Sequence, residues 1–340
     1  MKVINVSQRS DAWRRWRSQG VSASEAAVIM NRSPYKTPWR AWAEKSGLVL
    51  EQDLSNNPLI RAGIQQEPLA LQHFEEQHDL MLLPICAESE RYPLMRASFD
   101  GLSEANEPVE IKCPHETTFM DVFLKREQSQ AYQLYWCQVQ QQILVAEAQR
   151  GFLYFYQPGQ TESQTCQTLE FEIRRDDSFI KALIETAMDF WAAVKSGREP
   201  KKAPERDLFL PKGQAEWQWQ QLAAQYRHNH QLMEALKTQI KTLDVQQLEL
   251  EQNLVDLMGE YLSAEHSGLR VNRFQMQGSI DYKAALQQRL PDVSESELER
   301  YRKKPSNRVR ITCRDDTGQR AEVPFDANML KDLVSGDYWF

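Results

Sequence analysis

The chain has 340 residues, of which 41% are hydrophobic, and its formal net charge at pH 7 is −7. This length predicts two domains, and the composition is sufficient for a buried core. The first ten residues show no secretory signal pattern and no apolar run approaches the ~18 residues of a membrane span, which argues against a membrane protein and favours a cytoplasmic one.

The cysteines are scattered along the chain and include no CxxC pair. There are five of them: Cys86, Cys113, Cys137, Cys166 and Cys313. Such a set is typical of reduced thiols and argues against zinc or iron–sulfur ligation.

Basic side chains are concentrated at the N-terminus. Residues 1–40 contain eight lysines and arginines against two acidic residues, a local charge of +6, so the rest of the chain carries −13. A basic region on an acidic protein fits directed contact with phosphate groups. A solvated basic face without a ligand is the alternative interpretation.

Helices are predicted in the first 80 residues. Ser22 and Glu25 form a capping-box pattern in front of the apolar run AAVIM. A short helix is expected over 38–46. Apolar residues at helical spacing predict another over 58–79, in which Pro68 either starts a new helix or introduces a kink.

The pattern then changes to short apolar runs separated by turn residues. Strands are predicted over 81–86, 94–99, 109–113, 151–156 and 168–173, and helices over 130–148 and 178–195. This order predicts an α/β fold with a central mixed sheet flanked by helices. Residues 1–197 are accordingly expected to form one domain.

A second region with different patterning follows. Residues 198–213 are rich in Pro, Lys and Glu and are predicted to be a linker. Within 214–262, twelve positions from Leu222 to Tyr261 alternate steps of four and three, and ten of them are apolar. This spacing is typical of a coiled-coil seam, although a long helix or helical hairpin packed on its own domain explains it equally well.

The last segment, 263–340, is predicted to be a small α+β part. Strands are expected near 269–277 and 308–313, and helices near 281–290 and 294–303. A basic cluster without an intervening acid runs from 300 to 310. Its candidate contacts to nucleic acid or a partner protein are Arg302, Lys303, Lys304 and Arg308.

Polar residues on two consecutive predicted strands form the chemically most informative pattern. Asp100 ends one strand, and Glu110 and Lys112 lie two apart on the next, so their side chains share a face. Pairing of these strands would place Asp100 beside Glu110, while Ile111 would point into the core. Adjacent carboxylates favour a hard cation with oxygen ligands, such as Mg²⁺ or Mn²⁺.

Such a site could act on a phosphodiester. A bound metal would polarise the phosphate and lower the pKa of a water molecule. Lys112 could orient or deprotonate that water and balance the developing charge. Glu67, on a predicted helix, is a candidate for a further carboxylate. The pattern alone is loose, because many Glu-x-Lys pairs on strands are solvated.

Seven short motifs occur together in one order. They are WRRWR (13–17), VSASEA (21–26), SPY (33–35), GIQQEP (63–68), ASFDG (97–101), EIKCP (110–114) and YWCQVQ (135–140). Over residues 8–195 this set resembles the phage lambda exonuclease/YqaJ-type viral recombinase family of the PD-(D/E)xK nuclease superfamily. The chain departs from that family where SASE replaces a common GGSD and Phe99 replaces a common proline. The extension 200–340 is absent from the shortest family members.

The resemblance implies roles for residues of the catalytic centre. Asp100 and Glu110 would bind the metal together with the main-chain carbonyl of Ile111. Lys112 would be the catalytic lysine, and Glu67 the carboxylate supplied by a helix. Gln138 would lie beside the site and support Lys112 or the scissile phosphate.

The resemblance also implies a pocket for a DNA end. Arg17, Ser24 and Ser98 look like the family's site for a 5′-phosphate, and Trp13 looks like an aromatic residue near the DNA. A guanidinium beside a helix start suits a terminal phosphate. Trp13 as a core residue, and the two serines as structural caps, are the alternatives.

The implied function is that of a Mg²⁺-dependent 5′→3′ exonuclease, with Mn²⁺ as a substitute, that leaves 3′ single strands for recombination. By resemblance it would be encoded by a phage or prophage and would form a trimeric ring on double-stranded DNA ends. Its partner would be a single-strand annealing recombinase. An endonuclease or nickase of the same superfamily, and a non-catalytic DNA-binding scaffold, remain as alternatives. The intact set of four active-site residues argues against the scaffold.

Overall fold

The computed structural model describes residues 1–51, 57–159, 165–274, 278–279 and 281–289. The chain divides into two compact units, one built on Met1–Phe209 and the other on Leu210–Thr317. Within the described part of the chain, no helix has both the length and the apolar character needed to cross a membrane. The basic cluster with Arg302, Lys303, Lys304 and Arg308 lies outside the described residues, as do the strand and helix predicted around it.

The first unit combines seven α-helices with eight strands among its described residues. The helices are α1 (Asp11–Ser18), α2 (Ala26–Ile29), α3 (Pro38–Lys45), α4 (Pro58–His78), α5 (Glu116–Lys125), α6 (Gln130–Ala146) and α7 (Asp177–Ser196). The strands are β1 (Lys2–Ile4), β2 (Val21–Ser22), β3 (Cys86–Glu88), β4 (Met95–Ser98), β5 (Gly101–Leu102), β6 (Pro108–Lys112), β7 (Arg150–Gln157) and β8 (Gln167–Arg174). The predicted α/β class is therefore confirmed.

The strands form two four-stranded mixed sheets. The first has the order β1-β3-β4-β2, in which β2 and β4 are parallel and the other pairs antiparallel. The second has the order β5-β6-β7-β8, in which β6 and β7 are parallel. The chain crosses from the first sheet to the second between β4 and β5, over only two residues, Phe99 and Asp100.

Two local predictions for the region 58–86 are settled by the structure. Pro68 lies inside a single helix, α4. The strand predicted over 81–86 is wrong, because only Cys86 belongs to β3. Leu83 does exchange two backbone hydrogen bonds of 3.0 Å with Leu102, but Pro84 has no amide hydrogen with which to continue a ladder.

Helix α6 is buried on most of its surface and contacts strands of both sheets. A helix with so wide a buried surface is typical of the centre of a domain. On the second sheet, Ile111 and Tyr154 belong to a buried cluster that also includes Phe74 of α4. The polar face of β6 therefore looks toward α6, and its apolar face toward α4.

A close backbone approach places β2 beside β4. At Gly20, a Cβ atom would lie 2.5 Å from the carbonyl oxygen of Leu94 and 2.8 Å from Nε of Arg96. Such contacts exclude any larger residue without a shift of the backbone. Gly20 therefore allows Ser22 to pair with Arg96 in the parallel register.

The first part of the predicted linker 198–213 contacts the first unit. The indole nitrogen of Trp39 donates to Glu199 (2.8 Å), and Arg206 donates to the carbonyl oxygen of Ser33 (2.9 Å). These contacts are made by α3 and by the turn that precedes it. The segment up to residue 207 is thus packed against the domain.

The second unit contains a long helix, α8 (Gln214–Leu257), followed by the hairpin of β9 (Ser263–His266) and β10 (Leu269–Asn272) and by α9 (Tyr282–Arg289). The helix ends five residues before the predicted limit at 262, because Gly259 adopts a positive φ of 59° just beyond it. None of its described side chains is buried. A coiled-coil seam stays a prediction.

Candidate active site

Asp100 and Glu110 are brought together by the crossing between the sheets. The carboxylate oxygen Oδ2 of Asp100 accepts a hydrogen bond from the backbone amide of Ile111 (2.9 Å). The following residue, Gly101, pairs with Val109 in the antiparallel register of β5 and β6. The sequence predicts this proximity, but β4 and β6 do not pair. The short strand β5 makes the connection.

Glu110 and Lys112 share the polar face of β6, as their spacing predicts. Lys112 Nζ lies 2.5 Å from Oε1 of Glu110 and 4.6 Å from the ring centre of Tyr135, and both side chains of the ion pair are buried. Burial alone would lower the pKa of Lys112, but Glu110, Tyr135 and Asp100 together outweigh it and the pKa rises above its ordinary value. Lys112 is therefore a cation at neutral pH.

Two glutamines of α6 complete the surroundings of Glu110. Nε2 of Gln138 donates to Oε1 of Glu110 (2.6 Å), and Nε2 of Gln142 donates to Oε2 (2.5 Å). The sequence predicts Gln138 but not Gln142. The spacing of four residues on a helix, which places both amides on one face, is the signal that could have identified Gln142.

Glu67 of α4 faces the same space and forms an ion pair with Arg9. The sequence does not predict this role for Arg9, whose backbone has a positive φ of 67°. Burial raises the pKa of Asp100 well above its ordinary value, and the charges of Glu110 and Glu67 raise it further. Glu67, Asp100 and Glu110, hereafter the carboxylate cluster, thus repel one another.

The four side chains expected at a DNA end also lie together. The indole nitrogen of Trp13 donates to Oγ of Ser98 (2.7 Å), and Arg17 donates to Oγ of Ser24. The guanidinium carbon of Arg17 lies 4.9 Å from the ring centre of Trp13. These four residues, hereafter the candidate phosphate pocket, offer one guanidinium cation, two hydroxyls and one indole N–H donor.

A buried acid fixes the backbone beside this pocket. Oε2 of Glu25 accepts from both the amide and the hydroxyl of Ser22 (2.8 Å each), which confirms the predicted capping box, and Oε1 pairs with Lys45 (3.0 Å). Burial alone would raise the pKa of Glu25. The positive charges of Lys45, Lys36 and Arg17 instead lower it to about 2.

The carboxylate cluster and the candidate phosphate pocket line one cavity of about 150 Å³. All nine side chains predicted for the site line it: Trp13, Arg17, Ser24, Glu67, Ser98, Asp100, Glu110, Lys112 and Gln138. Those that sequence reasoning does not assign to the site are Gln8, Arg9, Ser22, Ala23 and Ile64. The side chain of Ile111 belongs to the core, so only its main chain could contribute.

The described residues contain no group of three or more His, Cys, Asp or Glu side chains arranged to hold a metal ion. Glu110 accepts from Lys112 and two amides, and Glu67 pairs with Arg9. The donor set nevertheless fits a hard divalent cation, since it consists of carboxylates, and burial together with the charges of Glu110 and Glu67 raises the pKa of Asp100.

Comparison with known proteins identifies a domain in this part of the chain. The sequence profile of the YqaJ-like viral recombinase domain matches residues 12–149. This range contains all nine predicted side chains of the cavity. No curated protein gives a significant match to the chain.

Solved structures with some similarity include nucleases. An alkaline exonuclease (LHK-Exo) from Laribacter hongkongensis is 21% identical, with 55% of this chain and 94% of that chain covered and a TM-score of 0.46. The same enzyme in complex with dAMP gives 20% identity, 55% and 94% coverage, and a TM-score of 0.44. A phage-related exonuclease from Haemophilus somnus 129PT gives 14% identity, 52% and 96% coverage, and a TM-score of 0.41.

Proposed function

Because residues 12–149 match the profile of the YqaJ-like viral recombinase domain, we propose that the chain is a divalent-metal-dependent nuclease that degrades linear duplex DNA from a 5′-phosphorylated end. The observation that carries this proposal is the single cavity shared by the carboxylate cluster and the candidate phosphate pocket. A nuclease that cuts within a strand has no need of a pocket for a terminal phosphate. A site with both features suits removal of nucleotides from an end.

Different residues of the cavity would bind the terminal phosphate and the metal ion. Arg17, with the hydroxyls of Ser24 and Ser98, would bind the terminal phosphate through charge-assisted hydrogen bonds. Asp100 and Glu110 would hold the metal, with Glu67 as a further carboxylate once Arg9 leaves it. Bound Mg²⁺ or Mn²⁺ would supply Lewis-acid polarisation of the phosphodiester and a water of lowered pKa.

Lys112 would act as a fixed cation rather than as a base. Its raised pKa keeps the ammonium charged, so it stabilises negative charge on the phosphate in the transition state. Gln138 contacts Glu110 directly, which supports a role in holding the carboxylate rather than the phosphate.

The direction of digestion, its product, the partner protein and the oligomeric state are proposed from the resemblance to the family. Digestion would run 5′→3′ and leave 3′ overhangs that a single-strand annealing recombinase takes up in the bacterial cytoplasm. The active protein would be a trimeric ring. Residues 1–197 would form the nuclease domain, and 214–340 an extension joined through 198–213.

One assay tests the proposal. The protein is incubated with Mg²⁺ and either linear duplex with 5′-phosphate, linear duplex with 5′-hydroxyl, or closed circular plasmid. We expect rapid digestion of the phosphorylated linear DNA and an intact circle. Cutting of the circle would identify an endonuclease, and binding of DNA without any cleavage would identify a scaffold.

Replacement of Arg17 by alanine should remove the preference for a 5′-phosphate. The loss of a charged hydrogen-bond donor, worth roughly 1.5–3 kcal/mol, predicts about a 10- to 100-fold slower digestion of phosphorylated ends. The rate on 5′-hydroxyl ends should change little. Steady-state digestion of the two substrates gives the ratio directly.

Arg14 provides the matched control for this experiment. It lies on the same helix, is exposed, and pairs with Asp11 at 2.8 Å outside the cavity. The Arg14→Ala variant should retain the preference. If Arg17→Ala also retains it, the terminal phosphate is bound elsewhere.

A further inference from the structure

Gln142 is a buried polar residue of α6 that does not line the cavity. We propose that Gln142 is a positioning residue that holds Oε2 of Glu110 for metal binding and ties this carboxylate to β4, the strand that carries Ser98 of the candidate phosphate pocket. The inference rests on the proposed function, because it assigns a purpose to the orientation of a proposed metal ligand.

The two carboxylate oxygens of Glu110 have different numbers of hydrogen-bond donors. Oε1 accepts from Lys112 (2.5 Å) and Gln138 (2.6 Å), whereas Oε2 accepts from Gln142 (2.5 Å) and has no other protein donor among the described residues. A carboxylate oxygen has about two lone-pair sites. Oε2 therefore has the larger capacity left for a cation, and Gln142 fixes where it points.

Gln142 is a polar side chain at a fully buried position. Within the described part of the chain, Oε1 of Gln142 is buried without a hydrogen-bond partner, and such an unsatisfied acceptor costs roughly 1–3 kcal/mol. An apolar side chain of the same length would avoid that penalty. The presence of a glutamine at this buried position is explained if Glu110 needs the hydrogen bond that its amide donates.

Gln142 also links the two sheets. Nε2 of Gln142 also donates to the carbonyl oxygen of Ser98 (3.2 Å), the last residue of β4. The same amide nitrogen thus contacts β6 of one sheet and β4 of the other. Trp13 holds the hydroxyl of Ser98, so Gln142 connects the carboxylate with the phosphate pocket through a single residue.

The test replaces Gln142 by methionine, which has a similar length and volume but cannot donate. Binding of Mn²⁺ to the DNA-free protein is measured by isothermal titration calorimetry. We expect affinity to fall about 10- to 100-fold, as for other residues that orient metal ligands. Cleavage should be slow at low Mn²⁺ and recover largely at saturating Mn²⁺, which separates metal affinity from the chemical step.

The neighbouring Gln141 supplies the control. It is equally buried, and its amide donates to the carbonyl oxygens of Val21 (2.8 Å) and Arg96 (3.0 Å), away from the cavity. The Gln141→Met variant should lose stability to a similar extent and keep the wild-type affinity for Mn²⁺. Equal loss of affinity in both variants would overturn the proposal, as would unchanged affinity in Gln142→Met.

A second variant guards against a packing effect. Gln142→Leu removes the same donor with a side chain of different shape, so we expect a loss of Mn²⁺ affinity similar to that of Gln142→Met at pH 7.5. Wild-type affinity in this variant overturns the proposal. If the wild-type protein itself neither binds Mn²⁺ nor cleaves DNA, the proposed function fails together with this inference.

Discussion

The Lys112→Met variant is expected to cleave phosphorylated linear duplex at least about 100-fold more slowly than the wild-type protein. Among the residues that the structure describes, Lys112 is the only lysine lining the cavity, and methionine keeps its length without the charge. Binding of DNA ends should persist, because Arg17 and the serines remain. Single-turnover cleavage at saturating Mg²⁺, with end binding measured in parallel, separates the two effects.

Stability is the main confounding factor in this experiment. Breaking a buried ion pair typically destabilises a protein by about 3–5 kcal/mol, although Glu110 keeps two amide donors. Lys36 offers a comparison, because its ion pair with Glu44 is also largely buried and lies outside the cavity. Lys36→Met should be destabilised and still cleave DNA. Wild-type cleavage by Lys112→Met would refute the assignment of the active site.

The Glu25→Gln variant is expected to lose about 3 kcal/mol of unfolding free energy at pH 7, the equivalent of lowering a pKa from 4.5 to about 2. The folded state prefers the ionised carboxyl, because Lys45 and the backbone of Ser22 bind it. This contribution is fully present above pH 4.5. As the pH falls from 4.5 toward 2, the unfolded chain takes up a proton first and the contribution disappears.

Chemical denaturation at pH 7, 5, 4 and 3 measures this effect. The difference in unfolding free energy between the wild type and Glu25→Gln should be constant at pH 7 and 5 and shrink below pH 4.5. Glu172 serves as an exposed control, since its pKa is lowered by surface contacts with Arg174 and Arg150. Glu172→Gln should change stability little. A pH-independent difference for Glu25→Gln would show that packing, not charge, is responsible.

Local spacing accounts for the part of the site that the sequence predicts. Glu110 and Lys112 must share a face because side chains alternate along a strand, and the Ser22/Glu25 capping box is a four-residue motif. The short runs around β4, β6, β7 and β8 are recognisable in the same way. The positions of Trp13 and Arg17 relative to Ser98 depend on the resemblance to a family, since no local rule brings α1 to β4.

Long-range packing accounts for what the sequence does not predict. The separation of β4 and β6 into two sheets depends on the crossing at Asp100, and a two-residue strand such as β5 has no periodicity to detect. Gln142 looks like an ordinary polar helix residue until α6 is seen to be buried. Arg9 is one of eight basic residues near the N-terminus, and the structure distinguishes it by its contact with Glu67.

The crossing between the sheets affects how many nucleotides the proposed nuclease would release in one cleavage step. Ser98 and Asp100 are separated by one residue, Phe99, whose side chain is fully buried. Two residues of chain span at most about 7 Å, however they are extended. On the proposed function, Ser98 at the end phosphate and Asp100 at the metal are therefore held within two peptide units of each other, anchored in the core. This short backbone connection favours the release of a single nucleotide in each cleavage step.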